Sequence, residues 1–221
     1  MMRTGSYSHI IWDWNGTLID DAAWCLKTLN IMLERHGLPI VGSIEAYRNV
    51  FCFPIKDYYR RVGFDFDRNP FAELAIEYME LYHGDMSNMA LFPEVTEILT
   101  YFKTIGLTQI ILSASEKDYL LKQMEPYGII PFFDEILGIE DIYAASKVDL
   151  GRAYMTRAKP SRALLIGDSV HDKEVADALG VECVLVANGH QSREVLNACG
   201  ATVMGGLAEV RSMIEGMTQG K

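Results

Sequence analysis

Short apolar runs alternate along this chain with segments whose apolar residues recur every three or four positions. Residues 7–12 (YSHIIW), 107–112 (LTQIIL), 163–166 (ALLI) and 183–187 (CVLVA) are rich in Ile, Leu and Val and bounded by turn-prone or charged residues. They predict buried strands, with residues 133–137 (FDEIL) a weaker fifth. Between them the period changes. Over residues 94–105, Val95, Ile98, Leu99, Phe102 and Ile105 fall on one helical face, and Gly106 ends it. Ser115 is placed to cap a helix over 116–123. Residues 171–179 bring Val175, Ala178 and Leu179 together before Gly180. Helices over 194–199 and 207–217 complete the series. Strands alternating with helices predict an α/β fold, a parallel sheet covered on both faces.

Residues 20–90 break that rhythm. They hold no convincing buried strand. Residues 21–36 read as a helix: acidic residues sit at its start, Leu26, Leu29 and Leu33 form a stripe, and Gly37 follows. Further helices are expected over 43–51, 56–62 and 71–82, punctuated by Pro39, Pro54 and Pro70. The chain therefore divides into an α/β core, residues 1–19 and 91–221, and a helical insert, residues 20–90, placed after the first strand.

Composition narrows the class. Of 221 residues, 49% are hydrophobic and 23% charged, the mix of a globular protein rather than a disordered or low-complexity one. The net charge of −10 and the lack of any Lys/Arg-rich run argue against nucleic-acid binding. An anionic ligand would need local positive charge or a bound cation. The four cysteines, Cys25, Cys52, Cys183 and Cys199, show no CxxC pair and read as reduced, mostly buried thiols. The first nine residues carry no apolar signal-peptide run, and no stretch approaches a membrane span. The expectation is a cytoplasmic protein without nucleic-acid or membrane partners, monomeric or homodimeric.

Four segments carry chemistry. The strand ending at Trp12 runs straight into Asp13, followed by Asn15, Gly16 and Thr17. In parallel sheets ligands bind where the strands end. The strand over 163–166 likewise runs into Gly167 and Asp168, with Asp172 four residues on at a helix start. Clustered carboxylates of this kind suit Mg²⁺ better than Zn²⁺. Ser113, Ala114 and Ser115 follow a third strand, where a hydroxyl and backbone N–H groups form an anion site. Lys147 follows the fourth, and its position in order between Ser113 and Asp168 raises it above an ordinary surface lysine.

Taken together, Asp13-x-Asn15-Gly16-Thr17, Ser113, Lys147 and Gly167-Asp168-x-x-x-Asp172 resemble the motifs of the haloacid dehalogenase-like hydrolases, most of all their phosphoglycolate phosphatase-like branch. The resemblance implies a Rossmann-like core with a small all-helical cap, and Mg²⁺-dependent hydrolysis of a small phosphorylated metabolite. It casts Asp13 as a nucleophile that forms an aspartyl-phosphate. Mg²⁺ would be held by Asp13, the carbonyl of Asn15, Asp168 and Asp172, with Asp172 also able to support the lysine. Gly16, Thr17, Ser113, Ala114 and Lys147 would bind the phosphoryl group. Arg48, Lys56, Arg60 and Arg61 of the insert are candidates for touching the rest of the substrate.

One position departs from the family pattern. The resemblance places a second aspartate, the acid–base group, where this chain has Asn15. An amide neither protonates a leaving alcohol nor activates water. General acid–base catalysis is worth ~10²–10⁴-fold. Its loss falls hardest on alkyl phosphates and least on leaving groups that depart as stable anions. Asp20, Asp21, His83 and His171 are candidates to supply the missing proton. Phosphonate-type hydrolysis, phosphotransfer and a non-catalytic Mg²⁺/phosphate-binding module are the alternatives that this position leaves open.

Overall fold

The computed structural model describes residues 6–84, 89–139 and 146–219. Six parallel strands form one sheet: β1 (His9–Trp12), β4 (Thr108–Glu116), β5 (Glu135–Ile139), β6 (Ala163–Gly167), β7 (Glu182–Val186) and β8 (Thr202–Met204). Their spatial order is β5-β4-β1-β6-β7-β8, so β1 lies at the centre, flanked by β4 and β6. All five expected strands are present. The sixth, β8, is three residues long, too short to announce itself by pattern.

Side chains alternate across the sheet, as the two-residue strand period requires. Ile10, Trp12, Ile111, Leu164 and Ile166 face one layer of core, and Ile11, Ile110, Leu112 and Leu165 face the other. The first layer is covered by α5 (Val95–Thr104), α6 (Lys117–Met124) and α10 (Leu207–Gln219). The second is covered by α7 (Lys147–Ala158), through Tyr154, and α8 (Val170–Leu179), through Val175 and Ala176. The short helix α9 (Arg193–Ala198) leads into β8.

Among the described residues, four helices precede α5 in the stretch between β1 and β4: α1 (Ala22–Arg35), α2 (Ile44–Val50), α3 (Ile55–Arg61) and α4 (Phe71–Gly84). A two-stranded antiparallel ribbon joins their ends, with Ile19 of β2 (Ile19–Asp20) opposite Leu91 of β3 (Ala90–Leu91). The interior of this helical layer is aromatic: Tyr47, Tyr58, Tyr59 and Tyr82 are buried. The layer is tied to the loop after β7. Arg48 donates to the carbonyls of Gly189 (2.8 Å) and Asn188 (2.7 Å). The Gln191 amide donates to Phe51 O (3.0 Å), and Ser192 N donates to Arg48 O (3.3 Å).

Two local expectations change. Ser115 does not cap α6, because β4 runs on as far as Glu116. Glu116 takes the cap instead, its carboxylate accepting from the amides of Asp118 and Tyr119 at 3.2 Å. Asp21 stands at the N-cap position of α1 without capping it, since its carboxylate is engaged elsewhere. All four cysteines are free, Cys25 and Cys52 buried and the others half-buried. Among the described residues, no helix is long and apolar enough to cross a membrane.

Candidate active site

The site is built where the central strands stop. Trp12 of β1 is opposite Ile166 of β6, so Asp13 and Asp168 leave neighbouring strands one residue apart in register. The Asp13 amide donates to Ile166 O at 2.9 Å, which fixes the turn. Asp172 joins them from the first turn of α8. There a reciprocal cap with Ser169 holds it, Ser169 Oγ donating to Asp172 Oδ2 at 2.6 Å. Carboxylate oxygens of Asp13, Asp168 and Asp172 lie within 4.8 Å of one another, all buried.

Lys147, the first residue of α7, reaches into this cluster and is 4% exposed. Its ammonium donates to Asp13 Oδ1 (2.5 Å) and Asp172 Oδ1 (2.6 Å). One lysine among three buried carboxylates leaves an excess of negative charge, and the acidities show where it falls. Burial pushes Asp13 up to about 6 despite Lys147. Burial, with Asp172 and Asp13 nearby, pushes Asp168 up to about 8 despite the charge of His190. Burial opposes the charge of Asp172 too, but there Lys147 and Ser169 outweigh it and hold the carboxyl below its ordinary range. Burial opposes the Lys147 charge, and the two carboxylates overcome it and raise the ammonium.

These three carboxylates fit a hard divalent cation. The donors are all oxygen, and Asp168 is the carboxyl whose charge burial and its acidic neighbours disfavour most, the one a cation would stabilise most. Among the described residues, the Asp168 carboxylate accepts one hydrogen bond, from the His190 amide at Oδ2 (2.5 Å). Asp172 differs, because its Oδ2 also accepts from the amides of Asp168 (3.2 Å) and Ser169 (3.1 Å).

Beside the cluster lies a second network centred on Asp21, which is 1% exposed. Its Oδ2 accepts from Asn15 Nδ2 (2.8 Å) and the Tyr82 hydroxyl (2.7 Å). Its Oδ1 accepts from Gly16 N (2.9 Å) and pairs with His190 Nε2 (3.1 Å). The other ring nitrogen of His190 lies 2.8 Å from the Tyr47 hydroxyl. Burial disfavours both charges of the pair, yet each sustains the other. Asp21 is held below its ordinary range, and His190 is raised to about 9, an imidazolium at neutral pH. Asn15 also donates to the Tyr82 oxygen (2.9 Å) and accepts from Ser115 Oγ (2.9 Å).

A cavity of about 690 Å³ opens above both groups. Asp13, Asn15, Ser113, Ala114, Lys147, Asp168 and Asp172 all line it, so most of the residues singled out in the sequence meet in one place. Ser113 Oγ accepts from Ser115 N at 3.0 Å; these serines, expected after the strand, lie within the end of β4, where its register with β5 shifts. Gly16 and Thr17 lie outside the lining. The Gly16 amide is spent on Asp21, and the Thr17 hydroxyl donates to Asp13 Oδ2 at 3.4 Å. Asp21 and His171 reach the cavity, whereas Asp20 and His83 do not. Arg48, Lys56, Arg60 and Arg61 do not line it either. Sequence reasoning missed His190. The signal was faint, since Gly189-His190 follows the end of β7 only after Ala187 and Asn188, whereas Asp13 and Asp168 come directly after β1 and β6.

A parallel sheet with carboxylates, a lysine and hydroxyls gathered at its carboxyl edge defines a class: an α/β enzyme whose reaction centre lies at the strand ends. The comparisons specify it. The family model described as haloacid dehalogenase-like hydrolase matches residues 10–186, and the chain belongs to that family. A phosphoglycolate phosphatase of Caulobacter vibrioides is 28% identical over 196 residues, 84% of this chain and 81% of that protein. Among solved structures, a predicted phosphatase from Clostridium acetobutylicum superposes with a TM-score of 0.79 at 22% identity, covering 95% of this chain and 99% of that one. Protein tyrosine kinase A of Mycobacterium tuberculosis superposes with a TM-score of 0.80 at 22% identity, covering 95% and 98%. At such identities the structural likenesses speak for the fold alone.

Proposed function

We propose that this chain is a Mg²⁺-dependent phosphatase acting on a small phosphate monoester through Asp13. The observation that carries the reading is the contact of Asp13 with Lys147 at 2.5 Å, beside Asp168, on the wall of one cavity. Phosphoryl transfer is mostly positioning and charge stabilisation, and this arrangement supplies both. The relatives named as phosphoglycolate phosphatases support the same chemistry.

Asp13, Asp168 and the carbonyl of Asn15 would hold Mg²⁺, which when bound neutralises phosphoryl oxygens. Asp172 belongs to the same cluster but spends its oxygens on Lys147 and the Ser169 turn, so we read it chiefly as the group that positions the lysine. Asp13 attacks phosphorus and becomes the aspartyl-phosphate, splitting one displacement into two. Lys147 keeps the Asp13 carboxylate charged and neutralises the incoming phosphoryl group. Ser113 and the amides after it bind the transferred group. Residues 20–90 act as a helical cap over a core of residues 1–19 and 91–221, with the β2–β3 ribbon closing the insertion. Such a layer excludes water from the reaction.

The test is Mg²⁺-dependent release of inorganic phosphate from a panel of monoesters, comparing the natural protein with Asp13→Asn. The expected result is turnover by the natural protein and at least a ~10³-fold loss in the variant, with circular dichroism unchanged. Equal rates for the two proteins would remove Asp13 from the reaction and with it this reading.

A further inference from the structure

The wall of the cavity away from the carboxylates is made of rings and a thioether. Phe51, Phe53, Tyr58, Phe71, Tyr78 and Met79 form it, the first five aromatic. His171, also in the lining, stacks flat on Phe53 with ring centroids 4.6 Å apart. A volume of about 690 Å³ accommodates a phosphate and one or two aromatic rings.

The lining offers few free cations, and His171 Nδ1 lies 3.3 Å from Glu174 Oε2. Lys147 is engaged by Asp13 and Asp172, and His190 by Asp21. No arginine lines the cavity among the described residues. Three basic residues of the helical layer are turned to other tasks. Arg48 holds two carbonyls, the Lys56 ammonium lies 5.1 Å from the centre of the Phe71 ring, and Arg60 pairs with Asp57. Residues 85–88 and 140–145 contain neither Lys nor Arg. A substrate bearing a carboxylate besides its phosphate, such as phosphoglycolate, would set that charge among rings with the buried, unpartnered Tyr58 hydroxyl as a neutral donor, and a charge so buried is costly.

A separate observation concerns the leaving group. Asn15 donates to Asp21 and Tyr82 and accepts from Ser115, and an amide has no acidic proton to give. A departing alkoxide needs that proton. A phenolate needs it far less, since phenols ionise near ~10.

We propose that the substrates of this site are small aryl phosphate monoesters, the ring lying against the aromatic wall and the phosphate at Asp13. The proposal rests on the phosphatase reading above. An Asp13 oxygen bonds to phosphorus as the P–O(aryl) bond breaks, and the electron pair leaves on the phenolate, which takes its proton from water. A second water then attacks the phosphorus of the aspartyl-phosphate, releasing inorganic phosphate and restoring the Asp13 carboxylate.

The experiment has two readouts on the full chain with Mg²⁺. Steady-state kinetics compare phenyl phosphate, 1-naphthyl phosphate and phosphoglycolate. Calorimetry compares two unreactive ligands, phenylphosphonate and phosphonoacetate, and so reads the cavity without leaving-group chemistry. The expected result is a kcat/KM at least ~10-fold higher for the aryl esters, a lower KM for naphthyl than for phenyl, and tighter binding of phenylphosphonate. Met79→Lys, at an exposed rim position, is expected to narrow or reverse the preference by lowering the KM for phosphoglycolate. Preference for phosphoglycolate together with tighter phosphonoacetate overturns the aryl assignment and leaves the phosphatase reading standing. Absence of phosphate release from every ester overturns the phosphatase reading. The aryl assignment then falls as a statement about turnover, and the phosphonates show separately whether the cavity selects rings.

Discussion

Asn15 does more than occupy a position where the family pattern has an acid. Its Nδ2 hydrogens are both used, on Asp21 and Tyr82. A carboxylate there would face the Asp21 carboxylate at hydrogen-bond distance in a buried setting. Asn15→Asp is therefore expected to lower stability by about 1–3 kcal/mol, measured by urea unfolding. Asp21→Asn alone is expected to be destabilising as well, because it strands the His190 imidazolium. The double variant should recover part of the combined loss, since one carboxyl and one amide again share the site. Strict additivity in this cycle would show that residues 15 and 21 do not interact. The Gly16 amide, held by Asp21, is also the group that would attack the Asn15 side chain in deamidation. That contact holds the amide away from the attack, so the folded state opposes deamidation of this Asn-Gly pair.

At the level of elements, the turns after β1, β6 and β7 pack onto one another with little room. Gly16 has φ +70, and a Cβ there would run into the Asp168 carboxylate and the His190 ring. Gly16→Ala should cost the left-handed strain of ~1–2 kcal/mol and also displace Asp168. The expected outcome is a folded protein that binds Mg²⁺ at least ~10-fold more weakly by calorimetry; unchanged affinity would mean that Asp168 is not displaced. This crowding explains what the sequence could and could not reveal. Asp13 and Asp168 were legible because a buried strand stops just before each, and Ser113 because the apolar run of β4 ends there although the strand continues to Glu116. Lys147 was legible by its place in that order. His190 follows a strand as well, yet its partner Asp21 is 169 residues away, and no local pattern registers that distance. Ser115 was misread as a cap because the serine looked local. Its actual partner is Asn15, from another strand's end. β8 went unseen because three residues carry too little periodicity, although its pairing with β7 holds it in place.

Over the whole molecule, the His190–Asp21 pair joins the loop after β7 to the start of α1. His190 is raised from its ordinary 6.5 to about 9 in the folded state. Its contribution to stability is therefore complete below about pH 6.5 and lost as the pH climbs through about 9. The shift corresponds to roughly 3 kcal/mol. Unfolding free energy of the metal-free protein should fall over that interval, and His190→Gln should flatten the curve. A natural protein whose stability is level from pH 6.5 to 9 would refute the pairing.

The strap of residues 188–192 gives this architecture its directionality. On one side it receives Arg48, Tyr47 and Phe51 from the helical layer. On the other, the His190 amide grips Asp168. The two grips share a residue, so α2 cannot swing clear without tugging on Asp168. Phe53 and Met79, which line the cavity, stand partly in solvent. A shift of α2 would reach the carboxylate edge through one residue, so the helical layer and the site are geared together rather than merely adjacent.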